Sequence, residues 1–332
     1  MSSLKSITQE YITKYPDLLN LTLAKLMHHE RPDLFKSADN ARSLIRMIKG
    51  AQGNKSRKGK EKTAFFEIAE IMQKYAIEQA ARKYDTEFKL SGEQVIGVIS
   101  DIHIPHQDNE ALTAALSYLY EADINTLLIN GDLVDFYQIS RFSRDPLERS
   151  FCYEVEMTKN FFIALREMFG DDIRILWKLG NHEDRYESFL RSNAPQLLGI
   201  EHFSLKALFE LEKYNVELIL SKQKIKAGKL NIVHGHEFGE SIFSPVNPAR
   251  GLFLRAKAST LAGHNHQTSE HHENDINNNP TGCWSMGCLC SLTPEYRPFA
   301  FTKWNHGGAV VYVHEDDSFH VDNFRIIDGV MV

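Results

Sequence analysis

Five short clusters of metal-ligating side chains recur along one stretch of this 332-residue chain. Asp, His and Asn offer carboxylate, imidazole and amide donors, and the clusters together supply seven or eight of them. That number is too large for one tetrahedral zinc ion and suits two adjacent divalent ions. In chain order the clusters are Asp101–His103, Gly131–Asp135, Gly180–Glu183, His234–His236 and Gly263–His266.

Apolar runs precede the first three clusters, at residues 95–100, 126–130 and 173–177. Runs of this length, bounded by Gly and polar residues, predict buried strands of a layered sheet. Side chains that follow such strands meet at one edge of an open α/β sheet, where these folds build their sites. The sequence therefore predicts one metal centre assembled from strand ends.

Helical and strand patterns alternate through the same part of the chain. Alternation followed by a strand-rich tail predicts a layered α/β fold. The predicted helices lie at about residues 108–121, 147–169, 184–193 and 248–258, and predicted strands at about 308–314 and 319–327.

In their order and spacing the clusters resemble the pattern of the calcineurin-like metallophosphoesterases. That pattern runs D-x-H, G-D-x-x-D, G-N-H-D/E, a lone His and G-H-x-H, and the resemblance covers residues 93–332. It implies an α/β fold of two facing mixed sheets, a β-sandwich flanked by helices, with metals at one end of the sandwich. It also implies a hydrolase that acts on phosphoester bonds.

The resemblance implies two divalent ions and a role for each matching residue. Asp132 matches the carboxylate that bridges both ions. The first ion is assigned to Asp101, His103 and His266, and the second to Asn181, His234 and His264. Manganese is our first choice of metal, although mixed nitrogen and oxygen donors also suit Fe, Zn, Co or Ni.

Two residues match catalytic positions of the family and not ligand positions. In a phosphoester attacked in line, charge builds on the equatorial and leaving oxygens. His182 matches the histidine that approaches the scissile oxygen as general acid or charge stabiliser. Asp135 matches the carboxylate that orients this imidazole through a hydrogen bond.

Substrate contacts are weaker predictions. Arg141, Arg144 and Arg185 lie near the motif loops and could hold phosphate oxygens, or form surface salt bridges. His236 is either a loop histidine or a substrate contact. The protein Ser/Thr phosphatases continue G-D-x-V-D with R-G, whose Arg binds phosphate, whereas Phe136 follows here. That departure disfavours a protein phosphatase.

The N-terminal residues 1–62 differ from the rest in charge. They carry thirteen Lys/Arg and six Asp/Glu, a net charge of +7, whereas the whole chain is −6, which leaves −13 for the remainder. Such asymmetry indicates that the basic part has an acidic partner. We divide the chain into a basic helical module at 1–62, a connector helix and linker at 63–92, and the metallophosphoesterase domain at 93–332.

Two amphipathic helices are predicted in the basic module. A leucine stripe between Pro16 and Pro32 marks the first, and Ser37 is a good cap for the second, which stops at Gly50. Basic side chains three or four apart share one face of the second helix, namely Arg42, Arg46 and Lys49. Its apolar side chains can face the partner helix, namely Ala41, Leu44, Ile45 and Ile48. The pair resembles a helix-turn-helix reader of DNA or RNA, and a solvated face or a protein-docking module is the alternative.

Composition and local sequence predict the cellular compartment of the protein. No run of about 18 apolar residues is present to span a bilayer, and the first residues lack an apolar signal core. The four cysteines lack the C-x-x-C spacing of zinc sites. We therefore expect reduced thiols that serve packing in a cytoplasmic protein with no membrane contact. The oligomeric state stays open.

Three classes of function are compatible with these patterns. The first is a phosphodiesterase or nuclease guided to nucleic acid by the basic module. The second is a phosphatase or phosphodiesterase for small esters such as nucleotides, with the module serving oligomerisation. The third is a binding module with an inactive metal centre, against which the complete ligand set and His182 count.

Overall fold

A computed structural model of the chain describes residues 4–50, 69–75, 87–140, 150–239, 246–293 and 301–332. It divides into two compact units, Met1–Arg82 and Lys83–Val332. Residues 51–62 of the basic module, most of the predicted connector helix, and both Arg141 and Arg144 lie outside the described residues. Residues 69–74 are helical.

Residues 4–50 of the first unit form three short helices around a small core. They are α1 (Leu4–Lys14), α2 (Asn20–Glu30) and α3 (Ala38–Ile48). The buried residues of this core are Leu23, Ala24, Met27, Phe35, Ala41 and Ile45. Ser37 caps α3, since its Oγ accepts a hydrogen bond from the Asn40 N–H at 3.1 Å. The predicted cap and the predicted apolar face of α3 are confirmed.

A seven-stranded mixed sheet forms the centre of the second unit, with strand order β13-β12-β11-β2-β3-β4-β5. β2, β3, β4 and β5 run parallel, and β11 joins β2 antiparallel. Its strands are β2 (Gln94–Ile99), β3 (Thr126–Asn130), β4 (Arg174–Lys178), β5 (Val216–Ile219), β11 (His306–Val313), β12 (Phe319–Ile327) and β13 (Val330–Met331).

A six-stranded sheet faces it, with strand order β1-β6-β7-β8-β10-β9. β7, β8 and β10 run parallel to one another. Its strands are β1 (Phe88–Leu90), β6 (Ile225–Ala227), β7 (Leu230–Val233), β8 (Thr260–Ala262), β9 (Ser269–Asn274) and β10 (Pro280–Ser285). β1 pairs with β6, so part of the range assigned to the linker contributes a strand.

Side chains alternate along each strand and create two cores. Ile96 and Val98 of β2 point between the sheets, toward Ile232 and Leu261 of the opposite sheet. Ile99 and Trp177 belong to the other core, which the helices cover. Among the described residues of this unit, the α-helices are α4 (Asn109–Glu121), α5 (Phe151–Phe169), α6 (Asp184–Asn193), α7 (Leu205–Leu208) and α8 (Pro248–Ala256).

The two-sheet sandwich flanked by helices confirms the predicted fold class. The predicted helix at 184–193 has the predicted bounds, and the one at 248–258 ends at Ala256 because Lys257 adopts a left-handed φ of 51°. None of the described helices is both long and apolar enough to cross a membrane.

Candidate metal centre

Every ligand cluster follows the carboxyl end of a strand. Asp101 and His103 follow β2, Asp132 follows β3, Asn181 follows β4, His234 follows β7, and His264 and His266 follow β8. Because β2, β3 and β4 are parallel, and so are β7 and β8, their carboxyl ends share an edge within each sheet. The fold thereby brings all seven predicted ligands together.

The donor atoms form two groups that share one carboxylate. Asp101, His103 and Asp132 each offer a donor atom within 4.8 Å of the others, and so do Asp132, His234 and His264. Asp132 is the residue common to both groups. Its Oδ2 lies 3.2 Å from His234 Nε2 and 3.9 Å from His103 Nε2.

Two predicted ligands complete these groups. His266 Nε2 lies 3.0 Å from Asp101 Oδ1 and 3.3 Å from His103 Nε2. Asn181 Oδ1 lies 3.2 Å from His234 Nε2. Imidazole nitrogens and carboxylate oxygens that converge in this way, on buried side chains, are a donor set suited to cations. The residues present therefore fit two divalent ions.

The backbone at the site is held in an uncommon conformation. Five of the seven predicted ligands have φ in the left-handed region, where residues other than glycine rarely lie. These residues are Asp101 (57°), His103 (53°), Asp132 (52°), His264 (67°) and His266 (54°). Residues held in such conformations cluster at functional sites, where the surrounding structure over-determines them.

Glycines in two clusters allow the loops to approach closely. A Cβ on Gly131 would lie 2.3 Å from His234 Nδ1, and one on Gly180 would lie 2.3 Å from Asp132 Oδ1. Neither distance is compatible with a side chain. The Gly of G-D and the Gly of G-N-H are thus required by the packing of neighbouring ligand loops.

The neighbouring imidazoles favour the charged form of Asp132. Burial by itself would raise the pKa of Asp132, but His234 and His182 outweigh it and hold the pKa well below its ordinary value. Burial would lower the pKa of His234, and Asp132 outweighs it and raises that pKa to about 10. Burial and the neighbouring His234 lower the pKa of His264 to about 4.

His182 lies beside the two groups, in contact with Asp135 and Arg185. Its Nδ1 is 3.0 Å from the Asp135 carbonyl oxygen and 3.1 Å from Asp135 Oδ1. Its Nε2 is 3.0 Å from Arg185 Nη2. Asp135 Oδ1 is also 3.1 Å from His103 Nδ1, so one carboxylate contacts both imidazoles.

Of the predicted substrate contacts, two lie among the described residues. Arg185 also donates from Nη1 to the Asp135 carbonyl oxygen at 2.7 Å, which holds the guanidinium next to His182. His236 Nε2 lies 2.9 Å from Ser221 Oγ, and its ring is 6.3 Å from that of His264. Their substrate contacts stay predictions.

Sequence reasoning missed two polar side chains at the site. The buried carboxylate of Glu183 accepts backbone N–H bonds from Gly180 (2.7 Å), Asp132 (3.0 Å) and Leu133 (2.7 Å), which ties two ligand loops together. Its place in G-N-H-E is a signal that could have found it. Cys290, whose Sγ lies 3.8 Å from His266 Nδ1, was expected to serve packing.

Comparison with known proteins identifies the family. The family model described as calcineurin-like phosphoesterase matches residues 95–284. The chain is 27% identical over 237 residues to the Gene 54 protein of Mycobacterium phage L5, covering 68% of this chain and 90% of that protein. The Gene 54 protein of phage D29 is 26% identical over the same length, with the same coverage of each chain.

Similar solved structures include YfcE, a phosphoesterase from E. coli, at 14% identity and a TM-score of 0.33, covering 69% of this chain and 98% of that one. A dimetal phosphatase from Danio rerio has 12% identity and a TM-score of 0.33, covering 67% and 93%. The family match spans more than half of the chain, and the ordered ligand clusters lie within it. The chain belongs to the calcineurin-like phosphoesterase family and is a metal-dependent phosphoester hydrolase.

Proposed function

We propose that the protein hydrolyses phosphodiester bonds of nucleic acid at a centre of two divalent ions, with manganese as our first choice. The observation that carries the dinuclear centre is Asp132, which belongs to both donor groups. In this proposal Asp101, His103 and His266 hold one ion, and Asn181, His234 and His264 hold the other. Two bound ions would supply a deprotonated water at neutral pH and a positive clamp for phosphoryl oxygens.

The chain's own residues do the remaining work. His182 faces the leaving oxygen with Nε2, because its Nδ1 is engaged by Asp135, and it delivers the proton that the leaving group needs. Arg185 lies beside His182. When substrate binds, the guanidinium leaves His182 Nε2 and donates to a phosphoryl oxygen instead. An Nε2 that accepts from Arg185 carries no proton, so the exchange frees it to take up a proton from water, and the resulting imidazolium donates that proton to the leaving oxygen. Asp135 keeps the imidazole oriented throughout.

We expect Arg185→Lys to lower kcat/KM by about 10-fold or more, because a hydrogen bond to a charged group contributes about 1.5–3 kcal/mol and Lys lacks the planar fork. Steady-state hydrolysis of a chromogenic diester checks this result. Arg191→Lys is the matched control, since Arg191 lies on the same helix and pairs with Glu187 at the surface. Equal losses in both variants would contradict a substrate contact for Arg185.

The choice of nucleic acid as substrate rests on the basic module. Arg42 and Arg46 are exposed one turn apart on α3, while Ala41 and Ile45 of the same helix are buried. Lys49 donates to Asn20 Oδ1 at 3.0 Å, so the arginines are the better candidates for phosphate contacts. The connection between α2 and α3 runs over residues 31–37, longer than the three or four residues of a helix-turn-helix.

We expect Arg42→Gln with Arg46→Gln to weaken DNA binding and to reduce the slope of log K against log salt by about 1.8, since each phosphate contact contributes about 0.9. Hydrolysis of a small chromogenic diester should be unchanged, because every proposed ligand lies beyond residue 100. Lys5→Gln with Lys25→Gln removes the same charge from α1 and α2 and serves as control. Equal slopes for the parent and the α3 variant would reject a nucleic-acid role for α3.

The substrate class is tested by one activity panel on metal-reconstituted protein. The panel contains a chromogenic diester, a chromogenic monoester, single-stranded DNA and duplex DNA. We expect hydrolysis of the diester and of at least one DNA substrate. Hydrolysis confined to the monoester or to nucleotides would replace this proposal with a small-ester phosphatase.

A further inference from the structure

An ion pair between a buried lysine and a partly buried glutamate lies behind the loop that carries His234. Lys178, the last residue of β4, has a fully buried side chain, and its Nζ is 2.9 Å from Glu237 Oε1. The ammonium also donates to the Ser221 carbonyl oxygen. A charged lysine is costly to bury, and a partner with good geometry is needed to offset that cost.

Glu237 contacts the backbone of the ligand loop directly. Its Oε1 accepts the His234 N–H at 3.1 Å, and its Oε2 accepts the Gly235 N–H at 2.6 Å. The His234 ring is fixed separately, since its Nδ1 lies 2.7 Å from the Asn130 carbonyl oxygen. Lys178 thus holds the carboxylate that holds the backbone of His234.

A contribution to stability alone does not account for this arrangement. Buried ion pairs often contribute no more stability than apolar residues of similar volume. Charged partners that orient a metal ligand, by contrast, commonly change metal affinity by about 10- to 100-fold. The direct contact between Glu237 and the amide of His234 favours the second role.

We propose that Lys178 and Glu237 are positioning residues that set the affinity of the ion held by Asn181, His234 and His264. This inference rests on the proposed role of His234 as a ligand. It assigns no contact with substrate to either residue. Their effect on hydrolysis passes through His234.

The test is a calorimetric titration of the metal-free full chain with Mn²⁺. In Glu237→Gln, the side chain keeps its size but loses its charge. We expect it to weaken the affinity for the ion held by Asn181, His234 and His264 by about 10- to 100-fold. The affinity for the other ion should be unchanged. Glu217→Gln is the matched control, because it removes the charge from an exposed ion pair between β4 and β5. In that pair Arg174 Nη2 lies 2.6 Å from Glu217 Oε2. The control should bind both ions as the parent does.

The double variant Lys178→Met with Glu237→Gln separates positioning from stability. Glu237→Gln leaves the buried Lys178 ammonium without its charged partner and should lower the thermal unfolding midpoint. The double variant has no unpaired buried ion, so we expect its midpoint to lie closer to that of the parent. Its second ion should still bind weakly. Parent-like affinity in either the single or the double variant would overturn the inference. A parent that never takes up two ions would instead contradict the proposed centre itself.

Discussion

Asp132→Asn is expected to leave the protein with at most one bound ion and to lower its hydrolytic rate on the order of 10³-fold. Asp132 contributes to both donor groups, and an amide carries no charge to hold two cations together. Transition-state stabilisation by metal ions is worth several kcal/mol, and each 1.36 kcal/mol corresponds to tenfold in rate. Metal analysis of protein purified without chelator, together with diester hydrolysis, measures both effects.

Asp322→Asn is the control for this substitution. Asp322 lies on β12 and accepts a hydrogen bond from the Tyr118 hydroxyl at 2.6 Å. The control therefore also replaces a carboxylate by an amide, but outside the predicted ligand set. We expect the control to keep the metal content and rate of the parent. Two ions per chain in Asp132→Asn would contradict the bridging role.

His182→Ala is expected to keep both ions and to lose about 10²- to 10⁴-fold in rate, which is the range for a positioned general acid. The loss should be larger for an alkyl leaving group than for 4-nitrophenolate, because the more acidic phenol needs less help from a proton donor. Rates for the two kinds of ester, measured on protein of known metal content, check both parts.

His272→Ala controls for the removal of an imidazole, since His272 is an exposed residue of β9 that pairs with Glu270. Loss of metal from His182→Ala would show that His182 is a ligand. Near-parent rates with both kinds of leaving group would show that the reaction needs no acid at this position. Either result would overturn the assigned role.

The strand-end placement of the ligands could be predicted because its signals are local. An apolar run followed by a polar cluster marks a strand and the loop beyond it, and parallel strands then bring such loops together. The runs before Asp101, Asp132 and Asn181 are β2, β3 and β4. The proximity of His182 and Arg185 is equally local, since they are three positions apart, with His182 just before α6 and Arg185 in its first turn.

The burial and the partners of the supporting polar groups could not be predicted, because these partners are distant in sequence. Glu237 meets Lys178 across 59 positions, and Glu183 meets the amides of Asp132 and Leu133 from a different loop. Each of these residues taken alone would be expected at the surface. Only tertiary packing decides which acidic and basic residues become buried partners of the ligand loops.

The basic module shows the same difference between local signals, which could be predicted, and tertiary packing, which could not. Helical periodicity predicted the buried face of α3, including Ala41 and Ile45, because amphipathic spacing is a property of the helix itself. The signals at Pro32 and Ser37 also predicted where the connection lies, whereas the burial of Phe35 within it was not predicted, because Phe35 joins the core through tertiary packing.

The proposed dinuclear centre is tested most directly by an anomalous difference map from crystals of the full chain grown with Mn²⁺. We expect two peaks about 3.5 to 4 Å apart, with an Asp132 oxygen between them, one peak next to His103 and His266, and the other next to His234 and His264. A single peak, or two peaks that do not share Asp132, would contradict the account.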